Sequence, residues 1–323
     1  MTPVTSPVLA VVGPTASGKS SLALDVARTR SRAGRPTELV AVDAFTVYRG
    51  LDIGTAKPTA AEQAEIPHHG LDLCDPWEEV TVAWFQTRVR AAVADVAGRG
   101  ATPLLVGGSG LYFRAVVDDL RFPPTDPDVR AALEARWWEQ PAAAHAHLAT
   151  LDPTAAARIE PANVRRTVRA LEVIELTGER FSAFHDAWQH YTSIYPDLRV
   201  AYLEPPAAEL RARIHRRADQ MVADGLLDEV AALRAAPRGL SSTAAKAIGY
   251  AEAADVLDGT APREGLAAAI AKRTWSYAKR QRSWFRADPR CVPTPPTEVL
   301  AAWTPDPPTP VPMSRQRRRP SHG

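Results

Sequence analysis

The sequence predicts an α/β fold: a parallel sheet flanked by helices, with an all-helical insertion. Three observations carry this expectation. A β-rich apolar run over residues 8–12 leads straight into Gly13-Pro14-Thr15-Ala16-Ser17-Gly18-Lys19-Ser20, and a helix-like segment, Ser21-Leu22-Ala23-Leu24-Asp25-Val26-Ala27, follows. The octapeptide fits G-x-x-x-x-G-K-[ST] between a strand and a helix, which marks a P-loop NTPase-like sheet. Strand-like and helix-like segments then alternate through residue 118, as in a parallel α/β sheet. From 119 to 198 the chain turns rich in alanine, arginine and tryptophan, with helical patterning throughout.

Each element has its own warrant. The P-loop glycines let the backbone turn so that successive amides point inward, and the helix N-terminus adds partial positive charge. Such a cradle suits a di- or triphosphate. Lys19 is placed to reach the terminal phosphates, the Ser20 hydroxyl to hold a magnesium ion, and Thr15 and Ser17 to add loop hydroxyls. The short apolar strand Glu38-Leu39-Val40-Ala41-Val42 ends at Asp43, and Leu71-Asp72-Leu73 reads as a further strand before the turn at Asp75-Pro76. Apolar residues at helical spacing over 82–96 stop at Gly98-Arg99-Gly100. Pro103-Leu104-Leu105-Val106 is the next buried strand and runs into Gly107-Gly108-Ser109-Gly110. Ligands of open parallel sheets sit beyond the carboxyl ends of strands, so Asp43 and Ser109 are both expected to face the cradle.

Within the insertion, Asp126-Pro127 is a helix start with the aspartate as cap. A helix over 161–177, closed by Gly178, carries Arg165, Arg166 and Arg169. The chain returns to the sheet at Arg199-Val200-Ala201-Tyr202-Leu203, and helices fill 207–287. The expected organisation is a core built from 1–118 and 199–292, an insertion at 119–198, and a tail at 293–323. That tail holds nine prolines and ends in Arg315-Gln316-Arg317-Arg318-Arg319, a composition expected to stay disordered.

Composition narrows the class. In 323 residues, 45% apolar and 24% charged side chains are ordinary for a globular protein. A net charge of +2 confines any nucleic-acid surface to a local patch. One such patch exists. Residues 272–290 hold seven basic side chains against one acidic, interleaved with Trp275, Tyr277, Trp284 and Phe285. Cations neutralise phosphates and aromatic faces stack on unpaired bases, although Trp284 and Phe285 suit a core equally well. There is no apolar run near the length of a membrane span and no basic-then-apolar leader. Cys74 and Cys291 lie far apart, without zinc or disulfide spacing. A cytoplasmic monomer with no membrane partner is expected. His68 and His69, adjacent on an extended segment, point to opposite faces and make a poor metal pair.

Several blocks together resemble the tRNA dimethylallyltransferases. They include Asp43-Ala44-Phe45-Thr46-Val47-Tyr48-Arg49-Gly50-Leu51-Asp52-Ile53-Gly54-Thr55-Ala56-Lys57-Pro58, then Ile66-Pro67-His68-His69-Gly70-Leu71-Asp72, then Leu105-Val106-Gly107-Gly108-Ser109-Gly110-Leu111-Tyr112. Further blocks at 163–178, 213–233, Ala247-Ile248-Gly249-Tyr250 and Ala278-Lys279-Arg280-Gln281 extend the likeness over about residues 8–290. The resemblance implies transfer of a dimethylallyl group from dimethylallyl diphosphate to the exocyclic amine of the adenine 3′-adjacent to the anticodon (position 37) of tRNA, without ATP. It implies Asp43 as general base and Arg217 as diphosphate ligand beside the P-loop and Mg2+. It places Ser109 where the family has a threonine. It also implies a tRNA surface formed by Asp43, Ala44, Phe45, Thr46 and Ser109, with Arg130, Arg165, Arg166, Thr167, Val168 and Arg169 on the insertion gripping the anticodon stem-loop.

The sequence departs from the family at Ala44, usually serine, at Thr46, usually glutamine, and at Trp275 and Ser276, usually basic or amide residues. These departures bear on tRNA choice rather than on the cradle. A C-terminal zinc finger of the eukaryotic type is not present in the sequence. Three other readings compete: prenylation of a free adenine nucleotide, an ATP-dependent small-molecule kinase, and a non-enzymatic RNA-binding module. The arginine-bearing insertion speaks against the first. The second needs phosphate-clamping arginines in a mobile lid, a role for which Arg211 to Arg217 could be mistaken. Asp43 beside a complete P-loop speaks against the third.

Overall fold

The computed structural model describes residues 4 and 6–304, apart from the side chains of 185–187 and 189. Strands β1 (Val8–Val12), β2 (Thr37–Val42), β3 (His68–His69), β4 (Thr102–Gly107) and β5 (Leu198–Tyr202) form one parallel sheet in the order β3-β2-β4-β1-β5. β1 is buried on both faces, which is why its sequence is apolar without alternation. Val8, Ala10 and Val12 pack into one core, while Leu9 and Val11 pack into the other.

The second of these layers is α1 (Lys19–Arg32), whose Leu22, Ala23 and Val26 lie against the sheet. α2 (Ala60–Glu65) follows, capped by Thr59 and Glu62 in a reciprocal box. α3 (Val82–Gly98) and α4 (Gly110–Val117) cover the opposite face through Phe85, Val89, Val93 and Phe113. In register, Val12 and Val42 both lie beside Gly107, so β1, β2 and β4 end level and release Gly13, Asp43 and Gly108 at one edge. A Cβ on Gly107 would stand 2.2 Å from the Val42 carbonyl oxygen, so only glycine permits that approach.

The insertion comprises α5 (Pro127–Trp137), α6 (Pro141–Leu151), α7 (Pro153–Ala156) and α8 (Val164–Thr177), around a separate core that includes Leu133, Leu148, Val168 and Leu171. Asp126 caps α5 by accepting from Asp128 N and Val129 N, and Asn163 caps α8. At the base of the insertion, buried Asp118 accepts from Arg114 Nε at 2.6 Å and Arg290 Nη1 at 2.5 Å, while Ile194 N returns to Val117 O at 2.8 Å. The chain thus leaves and re-enters the core through one ionic joint. α9 (Ala207–Ala223), α10 (Leu226–Ala235), α11 (Tyr250–Leu257) and α12 (Leu266–Ala287) complete the main body.

Two expectations are corrected. No strand forms at Leu71-Asp72-Leu73. Asp72 has φ +52° and its carboxylate is held at 2.5 Å by Lys57 Nζ, so the backbone turns there and the edge strand falls three residues earlier. The tail does not begin at Pro293. α13 (Pro296–Trp303) buries Val299 and Trp303 against α1, and the buried Arg30 donates to Trp303 O at 2.8 Å. Two apolar side chains at helical spacing are enough to dock a proline-flanked segment. The basic run at 315–319 lies outside the described residues.

Glu172 is fully buried between α8 and α5. It accepts from Arg130 Nη2 at 2.6 Å, Arg169 Nη1 at 2.7 Å, Thr125 Oγ1 at 2.8 Å and Asp126 N at 2.9 Å. Burial alone would raise its pKa, but the two guanidinium groups, the amide and the hydroxyl together hold it at about 2. A depressed carboxylate stabilises the fold above its unfolded value, and that contribution is lost as pH falls through the folded one. Glu172→Gln is expected to cost about 3 kcal/mol near neutral pH in urea unfolding, with the gap closing as pH falls toward about 2. A gap independent of pH would show that the charge is not what holds these helices.

Candidate active site

The P-loop turns between β1 and α1 as its sequence requires. Gly13 packs so tightly under Leu203 that an added Cβ would lie 2.6 Å from the Leu203 carbonyl oxygen, and Gly18 adopts φ +92° before the first turn of α1. Two side chains from other elements clamp the loop. Gln281 on α12 accepts from Thr15 N at 2.9 Å and donates to Gly108 O at 2.7 Å. Arg213 on α9 donates to Ser17 O at 3.0 Å. The Ser17 hydroxyl is buried without a partner, although a buried hydroxyl ordinarily finds one.

Two cations converge on this loop with no ion-pair partner among the described residues. Lys19 Nζ meets only Pro14 O, at 3.4 Å. Arg217, one turn beyond Arg213, donates to Thr15 Oγ1 at 3.1 Å and to Thr55 O at 3.4 Å. Burial, with the Arg217 guanidinium nearby, pulls Lys19 down to about 8 against the opposing pull of Asp43. Burial likewise lowers Arg217, again opposed by Asp43. Half-buried cations short of counter-charge form a receptor for an anion.

Asp43 lines the same cavity as these two cations. Its Oδ1 accepts from Phe45 N at 2.9 Å, a local turn that fixes the carboxylate at the end of β2. Tyr277 on α12 lines the cavity and Tyr112 on α4 lies near Asp43; burial with the Asp43 charge raises both phenols, Tyr112 to about 12, so both remain neutral donors. A cavity of about 500 Å3 joins Lys19, Arg217, Asp43 and Tyr277. Its lining also includes apolar Leu24, Leu39 and Val106 and basic Lys246, Arg273 and Arg280. A second, open cleft reaches the P-loop from outside, past Ser20, Lys57, Arg213 and Arg216.

The model of a family described as IPP transferase matches residues 46–288. The tRNA dimethylallyltransferase of Kineococcus radiotolerans is 51% identical over 288 residues, covering 88% of this chain and 89% of that one. The chain belongs to the IPP transferase family. The enzyme of the same name from Bifidobacterium longum is 47% identical, with 89% and 86% covered. A solved tRNA isopentenylpyrophosphate transferase from Bacillus halodurans has a TM-score of 0.64 at 36% identity, over 92% of this chain and 94% of that one. A eukaryotic dimethylallyltransferase acting on tRNA has a TM-score of 0.73 at 25% identity, over 87% and 70%. The fold is that of the P-loop-containing IPP transferases, and the chain is a prenyltransferase enzyme.

In this IPP transferase the residues expected at the RNA face divide. Asp43, Phe45 and Thr46 line the cavity, and half-buried Ala44 lies between them in the chain. Thr46 is largely buried with its hydroxyl unpartnered. Ser109, at the start of α4, lies beside the Tyr277 hydroxyl. Arg165 and Arg166 are exposed on α8. Thr167 and Val168, expected to touch RNA, are instead buried, Val168 in the insertion core on the face of α8 that also carries Val164 and Leu171. Arg130 and Arg169 are bound to Glu172, and Arg169 also donates to Pro123 O and Pro124 O, so their first role is to join α5 to α8. Of the paired aromatics, Phe285 is core and Trp284 is 44% exposed, packed over Gly110.

Sequence reasoning placed Tyr277 only in the basic, aromatic RNA patch and gave Gln281 and Lys57 no individual role. Lys57 is nearly buried yet binds Tyr48 O, Asp52 and Asp72, stitching two of the signature blocks together. Tyr277 and Gln281 are four apart on one helical face of the basic stretch, and that spacing was their only local signal.

Proposed function

We propose that this enzyme transfers a dimethylallyl group from dimethylallyl diphosphate to the exocyclic amine of the adenine 3′-adjacent to the anticodon, at position 37 of tRNA. The observation that carries this reading is one cavity lined by two P-loop-facing cations, Lys19 and Arg217, with no ion-pair partner among the described residues, and by the oriented Asp43 carboxylate. The names of its relatives, tRNA dimethylallyltransferase and tRNA isopentenylpyrophosphate transferase, support tRNA as acceptor and a five-carbon prenyl group as the group transferred. Diphosphate oxygens would lie against the P-loop amides, the Ser17 hydroxyl, Lys19 and Arg217, with the allylic carbon turned toward Asp43. The target base is turned out of its stack to reach that carbon, at a cost of a few kcal/mol.

The chemistry then balances within the site. The C1–O bond breaks, its electron pair leaves with the diphosphate, and the amine nitrogen forms the new bond to C1. Asp43 takes the proton that the amine loses, the task of a positioned carboxylate beside a poor nucleophile. Lys19 and Arg217 stabilise charge as it develops on the leaving group. No cluster of three or more His, Cys, Asp or Glu able to hold a metal occurs among the described residues. The donor set therefore fits a magnesium ion bound mainly through the diphosphate and water, with the exposed Ser20 hydroxyl as protein ligand. Such an ion, when bound, would neutralise leaving-group charge.

The test is transfer of label from radioactive dimethylallyl diphosphate to unmodified tRNA, with magnesium and without ATP, and with free AMP as competing acceptor. Label in tRNA alone is expected. Label in AMP alone would move the enzyme to the free-nucleotide class, and a need for ATP would make it a kinase.

A further inference from the structure

The segment between Leu51 and Lys57 walls the cavity and carries the carbonyl that meets Arg217, yet it belongs to no helix or strand. Asp72 holds its end through Lys57, and one carboxylate, Glu229, holds the backbone of 52–54 from α10. Glu229 on α10 accepts through Oε2 from Asp52 N at 3.0 Å and Ile53 N at 2.8 Å. Through Oε1 it accepts from Gly54 N at 3.4 Å and from the Tyr250 hydroxyl at 2.6 Å. A carboxylate has about four lone-pair sites, and here all four are used. The support is rigid, because Tyr250 opens α11 and is buried with Leu226 and Val230 of α10 in the main core. Gly54 is required for the contact, since a Cβ there would lie 2.3 Å from the Tyr250 ring. On the cavity side of the same segment, Thr55 O receives Arg217 Nη2 while Arg217 Nη1 reaches Thr15 Oγ1 of the P-loop.

We infer that Glu229 is a positioning residue for the diphosphate arginine. By fixing the backbone of 52–54 on α10 it places the Thr55 carbonyl, and that carbonyl aims the Arg217 guanidinium across the P-loop. This rests on the reading of the cradle as a diphosphate site. Glutamine is isosteric but wrong at this position. Its amide nitrogen has no lone pair to offer a backbone N–H of 52–54, and its neutral oxygen accepts more weakly than a carboxylate, so the hold on the loop is weakened.

The test compares wild type, Glu229→Gln and Tyr250→Phe, each also in an Arg217→Lys background. Inorganic diphosphate affinity is read by calorimetry, and KM is measured separately for prenyl diphosphate and tRNA. Glu229→Gln is expected to weaken diphosphate binding and raise the prenyl diphosphate KM by about 5–30-fold, with the tRNA KM within about twofold of wild type. Tyr250→Phe, which removes one hydroxyl and preserves the packing, should move the same quantities by a smaller step and carries the test if Glu229→Gln does not fold. Both effects should shrink in the Arg217→Lys background. Unchanged diphosphate affinity, an equal loss for both substrates, or full additivity with Arg217→Lys would overturn the inference. Failure of wild type itself to bind diphosphate would instead overturn the reading of the cradle on which it rests.

Discussion

Asp43→Asn is expected to lower kcat for prenyl transfer by about 10²–10⁴-fold while leaving inorganic diphosphate affinity nearly unchanged. The substitution is informative because the amide keeps its Oδ1 for the Phe45 N hydrogen bond, so the turn after β2 survives and the proton acceptor is lost. Single-turnover transfer with both substrates saturating reads the chemical step, and calorimetry with diphosphate reads the cradle. Wild-type transfer would remove Asp43 from the reaction. Loss of magnesium-dependent diphosphate binding in step with activity would make it a metal-supporting carboxylate instead.

Lys19→Met is expected to abolish measurable diphosphate binding and yet raise the stability of the free protein. The ammonium is drawn down to about 8 from 10.5, first by burial and then by Arg217. A lysine lowered in this way makes the native state bind fewer protons than the unfolded one between those values, so stability rises with pH across that window. Below about pH 8 the full cost remains. Removing the charge near neutral pH should therefore stabilise the fold by on the order of 2 kcal/mol, after allowing for partial exposure. In the wild-type enzyme, kcat/KM for the prenyl diphosphate should decline above about pH 8, as free Lys19 loses its proton. Urea unfolding of both proteins and a pH–rate profile test the two halves. A destabilised Lys19→Met, or a flat profile through pH 9, would mean the ammonium is satisfied within the protein.

The two effects share a cause. Lys19 and Arg217 line a cavity with no ion-pair partner among the described residues, and the Ser17 hydroxyl of the same loop is buried without a partner. Such sites trade stability for binding. By contrast, the Glu172 and Asp118 clusters, also charged and buried, have every partner they need and act as joints.

What the sequence by itself determined is what depends on near neighbours in the chain. The P-loop could be read because its turn, its glycines and its helix start are consecutive. The two-sided burial of β1, the caps at Asp126 and Asn163, and the stop at Gly178 are local in the same sense. Asp43 and Ser109 were placed at one edge by a rule of parallel sheets, and the level ends of β2 and β4 bear that placement out. The tertiary structure decided the matters that depend on residues far apart. Gln281 reaches Thr15 across 266 positions and Arg217 reaches it across 202, and no pattern in either helix announces the contact. Arginines that the family resemblance assigned to RNA separate into exposed Arg165 and Arg166 and the Glu172-bound pair, because burial of one carboxylate recruits whichever guanidinium groups can reach it. The same holds for α13, whose helix exists because Arg30 and the apolar face of α1 give Val299 and Trp303 somewhere to dock. Local chemistry is written in adjacent residues. The balance of charge and burial that makes it a site is settled only when distant segments meet.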